Sequence, residues 1–477
     1  MAYLTSELRS LCCLVLLICP GCATYRAAQR DVSRAYDWKR PRARLVQTPR
    51  NQVHIRQPKD LSQFILAALR QNPAIHAAIS RVESEFERIP QVTSLDDPML
   101  RLVTRPEPIQ TAAGDIVFTL GVSQKLPLPA KLDLRGQVAA AELRDAIEQL
   151  NSRRLQVITD VERAYYRIYV ADRSIEIADL NITLLEELIR VTETQYEVGK
   201  AEQQDLLRVQ TELSDLQNAK TRFQGQRISA VAALNQLLDR PTTASVPTLA
   251  RIEPSAVGVR VDELIALAEG HNPELGAFTH RIERDRKSIE LAKLAYVPDL
   301  TLGVEWNRGV GRTPFTPRVN PQTGVRPPFN DASSEGDDNW ALTIGLNLPI
   351  WAQRNEAARR EARKRLQQTL HEKRATRNLI AFRIHDAWAR AETLRDTIKL
   401  LEKTIIPQAQ QTYEVSLPSY RGGTTDFLTV IENWRKLLSF ELMYHREVAS
   451  LETAFAELQR EVGVSLALDH QPKEVRP

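Results

Sequence analysis

Two rhythms of hydrophobic positions run along this chain. Neither Gly nor Pro interrupts residues 137–198 or 352–406. In the first stretch Val157, Val161, Ala164, Ile168, Ala171, Ile175, Ala178, Ile182, Leu185 and Ile189 are spaced alternately by four and three, which is a heptad seam. In the second, Ile380, Ile384, Ala387, Ala391, Leu394, Ile398, Leu401 and Ile405 repeat it. At 1.5 Å per residue the first stretch predicts a helix on the order of 90 Å long. A further row at Val170, Ile177, Leu184 and Val191 gives that helix a second contact face, and a helix touching two neighbours belongs to a wall of helices. Shorter helices are predicted over 201–240 and 424–462. Those opened by Pro73 and Pro273, residues suited to the first helical position, would make up the difference in length if stacked on them.

The other rhythm has a period of two. Ile116, Phe118, Leu120 and Val122 alternate with Val117, Thr119, Gly121 and Ser123, and Leu100 and Leu102 belong to the partner strand. Leu300, Leu302, Val304 and Trp306, and then Trp340, Leu342, Ile344, Leu346 and Leu348, alternate in the same way. Any one such strand fits a half-buried soluble hairpin. About ten residues with one apolar face also suits a transmembrane β-strand. Four strands cannot close a barrel, and open edges are not tolerated in lipid, so in a membrane several copies must pool their strands. Trp306 and Trp340 at the strand ends are candidates for an interfacial aromatic belt or are ordinary surface tryptophans.

The pattern occurs twice. Asn72-Pro73 recurs as Asn272-Pro273, 200 residues on. Tyr196-Glu197-Val198-Gly199 recurs as Tyr420-Arg421-Gly422-Gly423, 224 on. The added residues fall in the Pro- and Gly-rich 309–338, where the first copy has only a short link over 104–114. The expected boundaries are 59–250 for the first repeat and 251–466 for the second, followed by a tail over 467–477.

Composition and charge narrow the function. Basic and acidic residues are interleaved, 64 against 60, which gives no reason to expect a nucleic-acid partner. All four cysteines, Cys12, Cys13, Cys19 and Cys22, lie in the first 22 residues, so the body carries no disulfide framework. The apolar run 11–18 suits a signal peptide over 1–21 and is too short to span a bilayer as a helix. Cys22 after Pro20-Gly21 resembles a lipobox cysteine, lipidated at the start of the mature chain, with 22–58 as an extended linker; an ordinary cleaved signal is the alternative. The eight histidines form no i,i+4 pair, and there is no phosphate loop or nucleophile elbow. The chain is therefore expected to be no enzyme and to need no cofactor or metal.

The order short helix, hairpin, long helix, turn, helix, given twice, resembles the TolC family of outer-membrane efflux channels over roughly residues 59–466. Gln124-Lys125-Leu126-Pro127-Leu128-Pro129 is similar to that family's entry from strand to helix, echoed by Leu346-Asn347-Leu348-Pro349-Ile350. Ile405-Ile406-Pro407 with Tyr420, Gly422 and Asp426-Phe427-Leu428 is similar to its second tip segment. The resemblance implies a mainly α protein with a β-barrel portion. In it a homotrimer pools twelve strands in the outer membrane, and an α-barrel of long antiparallel helices reaches into the periplasm. It implies a periplasmic membrane-fusion adaptor and an inner-membrane pump as partners. Ile116, Phe118, Leu120, Val122, Leu302, Val304, Leu342, Ile344 and Leu346 would then face outer-membrane lipid. Tyr196, Gly199, Tyr420, Gly422 and Gly423 would form the tip that meets the adaptor. Asp426 and Asp205 would ring the aperture, or each would simply stabilise a helix N-terminus; Thr429 stands where some relatives carry a second acid. A periplasmic coiled-coil scaffold without a pore would explain the heptads but not the paired strands. An exit duct for protein or polysaccharide would differ only in cargo.

Overall fold

The computed structural model describes residues 26–31, 60–111, 114–255, 259–311, 322–323 and 336–464. Cys22, the predicted signal peptide, most of the predicted linker and the predicted C-terminal tail lie outside them. The elements, in chain order, are α1 (Leu61–Gln71), α2 (Pro73–Thr93), β1 (Met99–Thr111), β2 (Gly114–Leu126), α3 (Pro129–Glu197), α4 (Gln203–Leu237), α5 (Val261–His271), α6 (Pro273–Lys293), β3 (Leu300–Val310), β4 (Asn339–Leu346), α7 (Ala352–Leu400), α8 (Ile406–Arg421) and α9 (Phe427–Val462). The chain divides into two compact units.

One unit holds residues 84–143 and 280–369 and contains the sheet. Its strands pair antiparallel in the order β1-β2-β3-β4, so sequence neighbours are also spatial neighbours. β1 runs through residues 104–111, which the sequence reading treats as a link. Pro106 and Pro108 suggest a break, but they fall in the register shift between Thr104 and Ile109, where the β1–β2 ladder is interrupted and their missing N–H groups are tolerated. Below the sheet, Lys131 donates to Asp299 at 2.6 Å and to the Val297 carbonyl at 2.6 Å, tying the start of α3 to the start of β3.

The other unit holds residues 60–83, 144–279 and 370–464 among those described. The heptad positions are its core. Val161, Ile168, Ala178 and Leu185 on α3, and Ile384, Ala387 and Ala391 on α7, are almost fully buried. α7 does not end at Leu400: a π turn, Leu401–Ile405, carries the helix into α8, whose first residues include Pro407. Pro407 has no N–H to give the preceding turn, and a widened turn accommodates the missing bond.

Two asparagines clamp the unit in the same way. Asn72 donates to the Leu237 carbonyl at 2.9 Å and accepts from the Ala74 N–H at 2.9 Å, capping α2. Asn272 donates to the Glu461 carbonyl at 2.7 Å and accepts from the Glu274 N–H at 2.8 Å, capping α6. Leu237 and Glu461 are the last turns of α4 and α9, 224 residues apart. Two residues after each, the backbone turns left-handed, at Asp239 (φ 52°) and Gly463 (φ 85°).

Candidate functional site

The sheet has two chemically different faces. In register, Leu100, Val122, Val304 and Leu342 form one apolar row across all four strands, and Leu102, Leu120, Trp306 and Trp340 form the next. The rows are solvent-accessible: Val122 is 49% exposed and Leu342 72%, and Leu302, Val304, Ile344 and Leu346 are exposed too. Phe118 and Leu120 are half-buried, Phe118 lying edge-on to Trp306 with centroids 6.1 Å apart. Ile116 departs from the alternation. A bulge between Ile116 and Phe118 shifts the register by one, so the regular alternation that would put Ile116 on the Phe118 face does not carry through it.

On the opposite face the residues are polar and joined. Arg105 donates to the Thr119 hydroxyl at 2.7 Å, Thr119 donates to Asn307 at 2.6 Å, and Asn307 donates to Asn339 at 2.8 Å. Arg101 and Glu305 form an ion pair across Gly121. A Cβ at Gly121 would sit 3.1 Å from Glu305 Cγ, so glycine leaves room for the crossing. In the sequence only the spacing of these polar positions is visible. Gly121 comes to lie between two opposite charges only once the strands are in register.

The second cluster of expected site residues lies at the ends of α3 and α8. Gly199 (φ 72°) and Gly423 (φ 76°) occupy the left-handed region. The Gly199 N–H donates to Tyr196 O and the Lys200 N–H to Gln195 O, at 3.0 and 2.8 Å; the Gly423 and Thr424 N–H groups donate to Tyr420 O and Ser419 O, at 3.0 and 2.9 Å. Both are the paired bonds of a Schellman turn, in which glycine avoids the Cβ penalty of that conformation. The tyrosines are not equivalent. Tyr196 is 46% exposed, whereas Tyr420 is 6% exposed and packs edge-on against Phe427 inside a core with Leu185, Val430 and Trp434. The Tyr420 ring therefore holds the turn together, and the surface here comes from Gly422, Gly423 and Tyr196.

Asp205 and Asp426 both stand at helix starts. Asp205 accepts from the Glu202 N–H at 3.3 Å, the return bond of a capping box on α4. Asp426 is the N-cap of α9 and accepts from the Thr429 hydroxyl, so Thr429 takes up the carboxylate at the position of the absent second acid. Behind this end, Arg435 forms an ion pair with the largely buried Glu212, and the Trp434 indole N–H donates to Asn181 at 2.8 Å. Burial beside Glu187 pushes the Tyr413 hydroxyl up to about 12. Farther along α3, burial beside Glu452 raises the Glu162 carboxyl to about 7, and Glu452 itself accepts from Ser255 N–H and Oγ at 2.7 and 2.9 Å. Burial, with Arg251 and Arg173 nearby, holds His445 down to about 4, and its ring lies 2.8 Å from the Tyr169 hydroxyl.

Among the described residues no three His, Cys, Asp or Glu side chains gather as a metal site would require, and no helix is long and apolar enough to cross a membrane.

Comparison with known proteins agrees with this geometry. The chain is 22% identical over 335 residues to the probable efflux pump outer membrane protein SepC of Pseudomonas putida, covering 68% of this chain and 64% of that protein, less than two thirds of its length. To the pyoverdine export outer membrane protein OpmQ of Pseudomonas putida it is 23% identical, covering 96% of this chain and 97% of that one. Its fold matches the solved outer-membrane channel OprN with a TM-score of 0.70 at 18% identity, over 84% of this chain and 89% of that one. The sequence profile of the outer membrane efflux protein family matches residues 65–240 and 264–464, and with most of its length so matched the chain belongs to that family.

Proposed function

We propose that the chain is one subunit of a passive, homotrimeric conduit that spans the outer membrane and receives small molecules or ions from a periplasmic adaptor and an inner-membrane pump. The observation that carries this reading is the open sheet with one apolar and one polar face. Strands of 13, 13, 11 and 8 residues are of the order needed to cross a bilayer. The edges of β1 and β4 have no partner within the sheet. Each unpaired backbone group in hydrocarbon costs several kcal/mol, so a lone inserted sheet would be disfavoured by on the order of tens of kcal/mol. Copies of the chain remove the penalty by pairing β1 with β4, and three copies give twelve strands. The apolar rows then face lipid, and the Arg105, Thr119, Asn307 and Asn339 ladder faces water.

The residues 59–250 and 251–466 act as two repeats of one unit, a reading supported by the matched asparagine clamps and Schellman turns. The turns at Gly199 and Gly422-Gly423, with Tyr196, would form the adaptor-facing tip, and Asp426 and Asp205 would lie near its aperture. Cys22, if acylated, would add a lipid anchor; loss of acyl labelling in Cys22→Ser tests that. Export of an organic small molecule is favoured by the relative named for pyoverdine export. Purified protein added to planar bilayers should give stepwise ion conductance. Folded, membrane-inserted protein that passes no current would overturn the conduit reading.

A further inference from the structure

The apolar face of β4 continues past the strand. Leu348, Ile350 and Trp351 follow it, exposed at 69%, 71% and 69%, and α7 begins at the next residue. Tyr296, also exposed, donates its hydroxyl to the Ala352 carbonyl at 3.4 Å, so a second aromatic ring reaches the same junction. The first three turns of α7 are strongly basic. Glu356 holds Arg359 at 2.7 Å, and Glu361 holds Arg365 at 3.0 Å. Arg354, Arg360 and Arg363 are exposed, and Arg360 and Arg363 share with Arg359 the field of Glu356, whose carboxyl they hold down.

This sequence of surfaces has a physical order: hydrocarbon-compatible side chains, then a tryptophan, then exposed guanidinium groups in excess over carboxylates. With a rise of 1.5 Å per residue, Arg354 and Arg360 lie within about 12 Å of the helix start, comparable to a headgroup layer plus the length of an arginine side chain. Tryptophan favours the boundary between hydrocarbon and headgroup, and guanidinium groups bind phosphate by paired, charge-assisted hydrogen bonds. Arg354 and Arg360 at that depth, with Arg363 about one turn farther on, match a layer of negative charge.

Resting on the reading that the sheet spans the bilayer, we infer that this junction binds anionic phospholipid headgroups of the leaflet facing the helices. Arg354, Arg360 and Arg363 take the phosphates, and Leu348, Ile350 and Trp351 lie along the chains and the ester region. The test uses the full chain reconstituted in vesicles with spin-labelled phosphatidylglycerol or phosphatidylcholine, measuring the motionally restricted fraction of each. The wild type should prefer phosphatidylglycerol by roughly fivefold at low salt. The variant with Arg354→Gln, Arg360→Gln and Arg363→Gln should fall to about equal association, and the three Arg→Lys changes should keep most of the preference. An unchanged preference in the Gln variant, or none in the wild type, overturns the lipid site. A Gln variant that alters the number of copies per particle and leaves the preference intact overturns it in favour of a contact between copies. Absence of any restricted phosphatidylcholine would instead indict the membrane-spanning reading itself.

Discussion

Single residues make opposite demands at positions that look alike. Gly199 and Gly463 are both left-handed, yet a Cβ at Gly199 meets nothing within 4 Å, whereas at Gly463 it would sit 2.4 Å from the His271 carbonyl oxygen. Gly199→Ala should therefore cost only the conformational penalty, about 1–2 kcal/mol, and Gly463→Ala should exceed about 3 kcal/mol because backbone has to move. Denaturation midpoints of the two variants check the difference. Glu162 sets a pH dependence. Burial raises its folded pKa to about 7, above an unfolded carboxyl near 4.3, so the folded state binds the proton more tightly. The stability contributed by that proton is fully present below the unfolded value and is lost as pH rises through about 7. Glu162→Gln should flatten this decline in a thermal-melting series across that range. His445, held down to about 4, acts in the other sense, with stability lost as pH falls from about 6.5 toward 4.

Elements show what alternation alone controls. On β4, Leu342 belongs to the exposed apolar row and Thr343 to the polar face. Leu342→Arg should lower folding into lipid vesicles by about 2–4 kcal/mol if it sits near the bilayer midplane, and Thr343→Arg by much less; urea titration of vesicle-folded protein separates them. The helices were legible because each seam position repeats a constraint seven residues later, so one ambiguous residue changes little. β1 was only half legible, since Pro106 and Pro108 look like a linker until the partner strand shows that they lie in a register shift of a strand that continues past them. The π turn at Leu401–Ile405 left no mark in the hydrophobic pattern, because the seam residues Leu401 and Ile405 keep their spacing through it. At the tip, the paired glycines were readable from their spacing, but the burial of Tyr420 against an exposed Tyr196 depends on which helices pack behind each turn. The polar ladder from Arg105 to Asn339 joins residues from four strands, and no local window contains it.

At the scale of the molecule, one property governs the rest: the sheet ends in two unpaired edges and carries an exposed apolar face. In lipid the apolar face is at home but the open edges are costly for a single chain, and pairing the edges of several copies would remove that cost. The most direct test is the mass of the particle folded in lipid nanodiscs, read by native mass spectrometry. Three chains per particle is the predicted result. A stable particle containing one chain, with the apolar rows still inserted in lipid, would contradict the account.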